Sequence, residues 1–99
     1  MGVALVLQKT NHTREAINRM EFLIDEYPEK AELYSVRSQM YADQGMLELA
    51  VIDISKAIEL ESHNSELLFQ RADLYDKLKK HGLAKRDRRK AQSFISGAY

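Results

Sequence analysis

The 99-residue chain has no cysteine and no tryptophan, and only one proline and four glycines. The missing cysteines exclude disulfides, thiolate metal sites and a cysteine nucleophile. So little proline and glycine argues against a turn-rich β fold or a flexible linker. No apolar run approaches the ~20 residues that span a bilayer. Gly2–Leu7 is apolar but short, and no basic residue precedes it, so it does not read as a signal peptide. Met1-Gly2 opens like a myristoylation signal, but Val6 stands where that motif needs Ser or Thr. With neither a signal peptide nor a spanning segment read, the default expectation is a cytoplasmic chain, and the missing cysteines do not bear on the compartment.

Hydrophobic residues make up 44% of the chain and charged residues 30%, a globular balance. The net charge of zero is unevenly distributed. Residues 1–76 hold 7 Lys+Arg against 14 Asp+Glu, whereas residues 77–99 hold 8 Lys+Arg against Asp87 alone. Such asymmetry marks either an interaction surface or internal neutralisation between the two segments.

The chain repeats itself at 34 residues. Leu33 falls on Leu67, Arg37 on Arg71, Ser38 on Ala72 and Tyr41 on Tyr75, then Ala50 on Ala84 and Ala57 on Ala91. In the other direction Leu7 meets Tyr41, Ala16 meets Ala50, Met20 meets Ile54 and Ile24 meets Ile58. Each unit reads as two helices. Leu33, Tyr34, Arg37, Met40 and Tyr41 recur at spacings of three and four. Gln44-Gly45 ends that run, and Leu49, Ala50, Ile54, Ala57 and Ile58 share a face of the next helix. Ser62–Ser65 is capping chemistry, Leu67–Leu78 is a further helix, His81-Gly82 a turn, and Leu83 to about Phe94 the last helix. In the first unit Val3–Lys9 predicts a short helix and Thr10–Thr13 a turn. Glu15–Glu26 predicts a helix with Ala16, Ile17, Met20, Leu23 and Ile24 inward, stopped by Pro28. The expectation is all-α, with six helices and no strands.

These units resemble the tetratricopeptide repeat family. The resemblance rests on Tyr34, Ser38, Tyr41, Gly45, Ala50, Ile54 and Ala57 in the middle unit, and on Leu68, Ala72, Tyr75, Ala84 and Ala91 in the last. In the first unit it rests on Ala4, Leu7, Ala16, Met20, Leu23 and Pro28. It implies one domain of about three antiparallel helix–turn–helix repeats, about 1–29, 30–63 and 64–97, stacked as a short right-handed superhelix. Small residues at Ser38, Ala50, Ala72 and Ala84 would let paired helices cross closely, while Tyr41 and Tyr75 fill space between repeats. The last unit departs from the pattern. Lys79 aligns with Gly45 while Gly82 lies three residues on, and Arg88 aligns with the apolar Ile54.

The resemblance also implies a non-catalytic protein–protein interaction module, or scaffold. Its groove would be lined by Glu32, Ser35, Gln39, Ala42 and Asp43, then by Glu66, Phe69, Asp73, Asp76 and Lys77, with Leu5 and Gln8 contributing from the first repeat. This acidic lining with one exposed aromatic suits a basic or neutral peptide or partner helix. The carboxylate clamp of chaperone-binding relatives is not matched. Met1, Leu5, Val36, Glu66 and Gln70 stand at its positions, and Glu66 would repel a carboxylate.

Lys85, Arg86, Arg88, Arg89 and Lys90 make the last helix basic, which suits a polar face that ends the stack. Nucleic-acid binding is the weaker reading, since the nearby aromatics Tyr75 and Phe94 belong to packing and leave no base-stacking platform. Self-association is the rival role. It would run through the apolar Val3, Leu5, Val6 and Leu7 as a homodimer, or head to tail by charge. His12, His63 and His81 all fall in expected turns, so no histidine–carboxylate set at metal-ligand spacing exists. Hence no enzyme, cofactor, metal or membrane partner is expected.

Overall fold

The computed structural model describes residues 2–97, with side chains from Thr13 onward. Five helices follow one another: α1 (Gly2–Glu26), α2 (Ala31–Asp43), α3 (Leu47–Leu60), α4 (Ser65–Lys77) and α5 (His81–Ser96). Each packs on the next in sequence. Two layers result. Ser35 on α2 and Gln70 on α4 are joined by a pair of hydrogen bonds at 3.0 and 3.2 Å, which sets these helices side by side. Arg71 on α4 reaches both Ser55 of α3 and Asp87 of α5, so α3 and α5 flank it in the other layer. Arg37 stands in the same way between Asp53 of α3 and the charge of Glu21 on α1. The layers are therefore α2/α4 and α1/α3/α5.

The core follows the 34-residue period. Ala50, Ile54, Ala57, Leu68, Ala72, Ala84 and Ala91 have no exposed surface, and neither has Ser38. The paired helices cross at the expected small residues. At the first crossing the Ser38 hydroxyl donates to the Ala50 carbonyl oxygen at 2.7 Å, so the one polar atom placed there is satisfied. At the second, Ala72 and Ala84 are both fully buried and bring no polar side-chain atom to satisfy. Pro28 lies in the turn after α1, and its carbonyl accepts from the Tyr34 hydroxyl at 3.0 Å.

Three expectations are corrected. The described residues form five helices and not six, because Thr10–Thr13 continue α1 without a turn. Between Val3 and Glu26 there is neither glycine nor proline, and Thr, Asn and His each cost a helix only a few tenths of a kcal/mol. The first unit thus offers one long helix and no antiparallel pair. The turn before α5 lies at Lys79 and not at His81-Gly82. Lys79 adopts a left-handed φ of 63°, in the register where Gly45 has 77°, and Gly82 lies inside α5. The repeat register outweighed the local preference for glycine. Finally, Leu23 and Leu49 are not inward, being 37% and 44% exposed. Each adjoins a buried position on its helix, and periodicity alone does not separate neighbouring faces.

Candidate groove and charge clusters

The α2/α4 layer holds a polar cleft of about 240 Å³ lined by Ser38, Gln39, Ala42, Gln70, Asp73, Leu74 and Lys77. It opens where two helices run side by side and their outward side chains converge. Glu32, Val36, Gln39 and Asp43 are exposed along α2, and Glu66, Asp73 and Lys77 along α4. Gln39 donates to Asp43 at 3.0 Å within one helix turn. Glu66, second in α4, donates its backbone N–H to the Asn64 side chain, the cap of that helix. Its carboxylate sits in the first turn, where the helix dipole favours negative charge.

Of the expected lining residues, Gln39, Ala42, Asp73 and Lys77 border this cleft, and three further points bear on the rest. Phe69 is half-buried and packs on the core, so it is not the exposed aromatic expected. Ser35 is engaged by Gln70, which the sequence reading had set aside as a clamp position and which proves to lie in the groove wall. Leu5 and Gln8, with the apolar Val3, Val6 and Leu7, lie outside the residues whose side chains are described.

The acids at the α4 end of the groove are not free. Arg88 on α5 reaches Asp76 at 2.6 Å and Asp73 at 3.0 Å, and His81 Nδ1 lies 2.8 Å from Asp76. The hydrogen bond from His81, then that from Arg88, holds the Asp76 carboxyl below the usual carboxylate range. The bonds to Asp76 and Asp73 in turn make the Arg88 guanidinium harder to deprotonate. Position 88 is where Ile54 packs against the following helix pair one repeat earlier. With no further pair among the described residues, an arginine here turns to the carboxylates of its own repeat. The remaining cations of the basic stretch, Lys85, Arg86, Arg89 and Lys90, are exposed and form no ion pair among the described residues.

A feature the sequence reading missed lies between the layers. Arg37 donates to Asp53 through Nε at 2.7 Å and Nη2 at 2.8 Å. One period on, Arg71 donates to Asp87 in the same two-pronged way, at 2.7 and 2.8 Å. Asp53 and Asp87 are buried, at 4% and 5% exposure. Hydrogen bonding to these carboxylates raises the pKa of each arginine further, against the cost of burial. Each guanidinium also lies over the tyrosine one turn later, Arg37 over Tyr41 and Arg71 over Tyr75, at 5.8 and 5.6 Å. A repeated Arg–Asp–Tyr set thus ties each helix pair together. The signal was present, since Asp53 and Asp87 are 34 apart like Arg37 and Arg71. It was hidden because an acid among helix charges resembles any solvated residue.

Among the described residues no three of His, Asp or Glu converge as metal ligands, and no helix is long and apolar enough to cross a membrane. His63 packs against Phe94 at 4.9 Å between ring centres, while Tyr75 sits under Arg71. Tyr75 also lines a cleft with Arg86 and Lys90 of the basic stretch.

Helix pairs of this length, crossing at small residues every 34 positions, define a helical-repeat protein. Residues 31–64 match the family model described as tetratricopeptide repeat. The chain therefore contains a tetratricopeptide repeat, and its fold is a stack of that kind. Repeats of this family generally serve as protein–protein interaction modules. Among solved structures, the chain is similar to residues 41 to the end of MamA from Desulfovibrio magneticus RS-1, with TM-score 0.84 and 18% identity over 95% of this chain and 53% of that one. A second MamA crystal structure gives TM-score 0.83 and 16% identity over 90% of this chain and 52% of that one. The chain thus spans about half the length of the MamA chains it matches. No curated protein matches the sequence.

Proposed function

We propose that the chain is a non-catalytic interaction module that holds an extended peptide or a partner helix in the α2/α4 groove, with residues 30–63 and 64–97 as helix-pair repeat units and the single helix of residues 1–29 beside them. The observation that supports this reading is the groove itself. Two helices are locked side by side by Ser35 and Gln70, and a polar cleft opens between them. Rigid parallel helices present their outward side chains without an ordering cost on binding. The ligand is basic or neutral. Arg88 is shared by Asp73 and Asp76 and offsets one of their two charges, so the groove acids with no ion pair among the described residues are Glu32, Asp43 and Glu66. Val36, 38% exposed between Glu32 and Gln39, supplies the apolar contact that Phe69 was expected to give.

The test is binding of a labelled library of basic and neutral peptides, followed by fluorescence anisotropy. A Glu32→Lys/Glu66→Lys double variant should weaken the best binder at least tenfold, with helicity unchanged. An unchanged affinity would remove the groove from consideration.

A further inference from the structure

A second cleft, of about 250 Å³, lies between α4 and α5 and shares no lining residue with the α2/α4 groove. Arg71 and Tyr75 line it from α4, and Leu83, Arg86, Asp87 and Lys90 from α5. Its charges are not equivalent. Arg71 and Asp87 neutralise each other through their two-pronged pair. Arg86 and Lys90 are exposed and have no ion pair among the described residues, so the cleft carries two free cations. They stand four apart on α5, which puts them on one side of the helix. Beside them Leu83 is 41% exposed and Tyr75 is half-buried, so apolar surface adjoins both cations. The fold does not require this charge. One period earlier Tyr41, Leu49, Ile52 and Lys56 stand at the positions of Tyr75, Leu83, Arg86 and Lys90. Ile52 is 64% exposed, so the position of Arg86 faces water whichever residue fills it. Neither packing nor pairing within the chain accounts for a guanidinium there.

We propose that this cleft binds an acidic peptide segment of a partner protein. One carboxylate of the segment pairs with the Arg86 guanidinium and another with the Lys90 ammonium, while an apolar side chain between them rests on Leu83 and Tyr75. The competing polyanion is a nucleic-acid duplex, and the surroundings of the cleft disfavour it. A duplex carries a charge every ~1.7 Å of its axis and runs on past one helix. Beyond α5 it would meet α3 and α1, where Glu48, Glu59, Glu21, Asp25 and Glu26 are all exposed. Lys56, Arg14 and Arg19 offset these acids only in part. A short segment held between α4 and α5 escapes that repulsion. Phosphates would also leave Leu83 in water, whereas a peptide side chain covers it.

The groove takes basic or neutral ligands on other residues, so the two proposals fail separately. The probe is a fluorescein-labelled library of short acidic peptides, each with one Leu, Ile or Phe among Asp and Glu, followed by anisotropy. The best binder should lose affinity in high salt. Arg86→Glu/Lys90→Glu should weaken it at least tenfold while circular dichroism stays unchanged. Leu83→Ser, at an exposed position, should weaken it severalfold, and so should Ser in place of the peptide's apolar residue. Arg19→Glu/Lys56→Glu changes the net charge by the same amount away from the cleft and should leave affinity within twofold, as should Glu32→Lys/Glu66→Lys in the groove. Four results would each overturn the proposal: no acidic peptide binds, the Arg19→Glu/Lys56→Glu variant loses as much affinity as Arg86→Glu/Lys90→Glu, the groove variant abolishes binding, or a DNA duplex binds as tightly as the best peptide.

Discussion

Lys79 holds a backbone conformation that side chains disfavour, at φ 63°. A left-handed residue costs roughly 1–2 kcal/mol unless it is glycine. Lys79→Gly should therefore raise stability by about 1 kcal/mol in urea melts. Gly82 is the converse case, since it lies within α5 and a Cβ there would meet nothing within 4 Å. Gly82→Ala should add about 0.5 kcal/mol, and the two effects should sum. The ion pairs differ by burial. Asp53→Ala strands Arg37 beneath the surface and should cost about 2–3 kcal/mol, below the fully buried range because the Arg37 side chain keeps 19% exposure. Asp73→Ala removes a contact whose carboxylate is 72% exposed, and should cost no more than about 1 kcal/mol in the same melts. Only part of this was readable from sequence. Small residues at a fixed period announce a close helix crossing, because little else explains them. The acids of the buried pairs carry no such mark, since their partners come from another helix.

At the scale of the helix, Asp76 fastens α4 to α5 through Arg88 and His81. Its carboxyl has a lower pKa folded than unfolded. A depressed folded value contributes stability above the unfolded pKa, and that contribution disappears as pH falls through the folded one. The Tm gap between the wild type and Asp76→Asn should therefore be widest above about pH 5 and close as the solution is acidified below pH 4. Helix ends show where sequence reading stops. Gly45 and the Asn64 cap mark ends because they satisfy backbone groups that would otherwise lack partners. Thr10–Thr13 resemble a turn in composition, but nothing in them forces the chain to leave the helix, and α1 runs through. Lys79 turns without glycine because the helices on either side fix where it must stand.

For the whole molecule, the centre of the stack is Ile54 against Leu68, both with no exposed surface. Ile54→Ala should cost about 2–5 kcal/mol, more than any surface change named above, and calorimetry should show it as a single lowered transition. Arg88, in the same register one repeat later, is 41% exposed and pairs with Asp73 and Asp76 instead. The choice of partner was less legible. Groove charge depends on which acids are already neutralised, and Arg88 reaches Asp73 and Asp76 from a different helix.

The Arg–Asp pairs also bear on how such a chain can lengthen. Both partners of the first pair, Arg37 and Asp53, fall inside residues 31–64, and the second pair falls one period later. A tandem duplication of that stretch would deliver a guanidinium and its carboxylate together. No buried charge would be orphaned at the seam, and every new helix pair would arrive with its own internal clasp. A pair split across the repeat boundary would have made each duplication a double requirement. Closing the pair within one unit makes the gene segment and the unit of folding the same length.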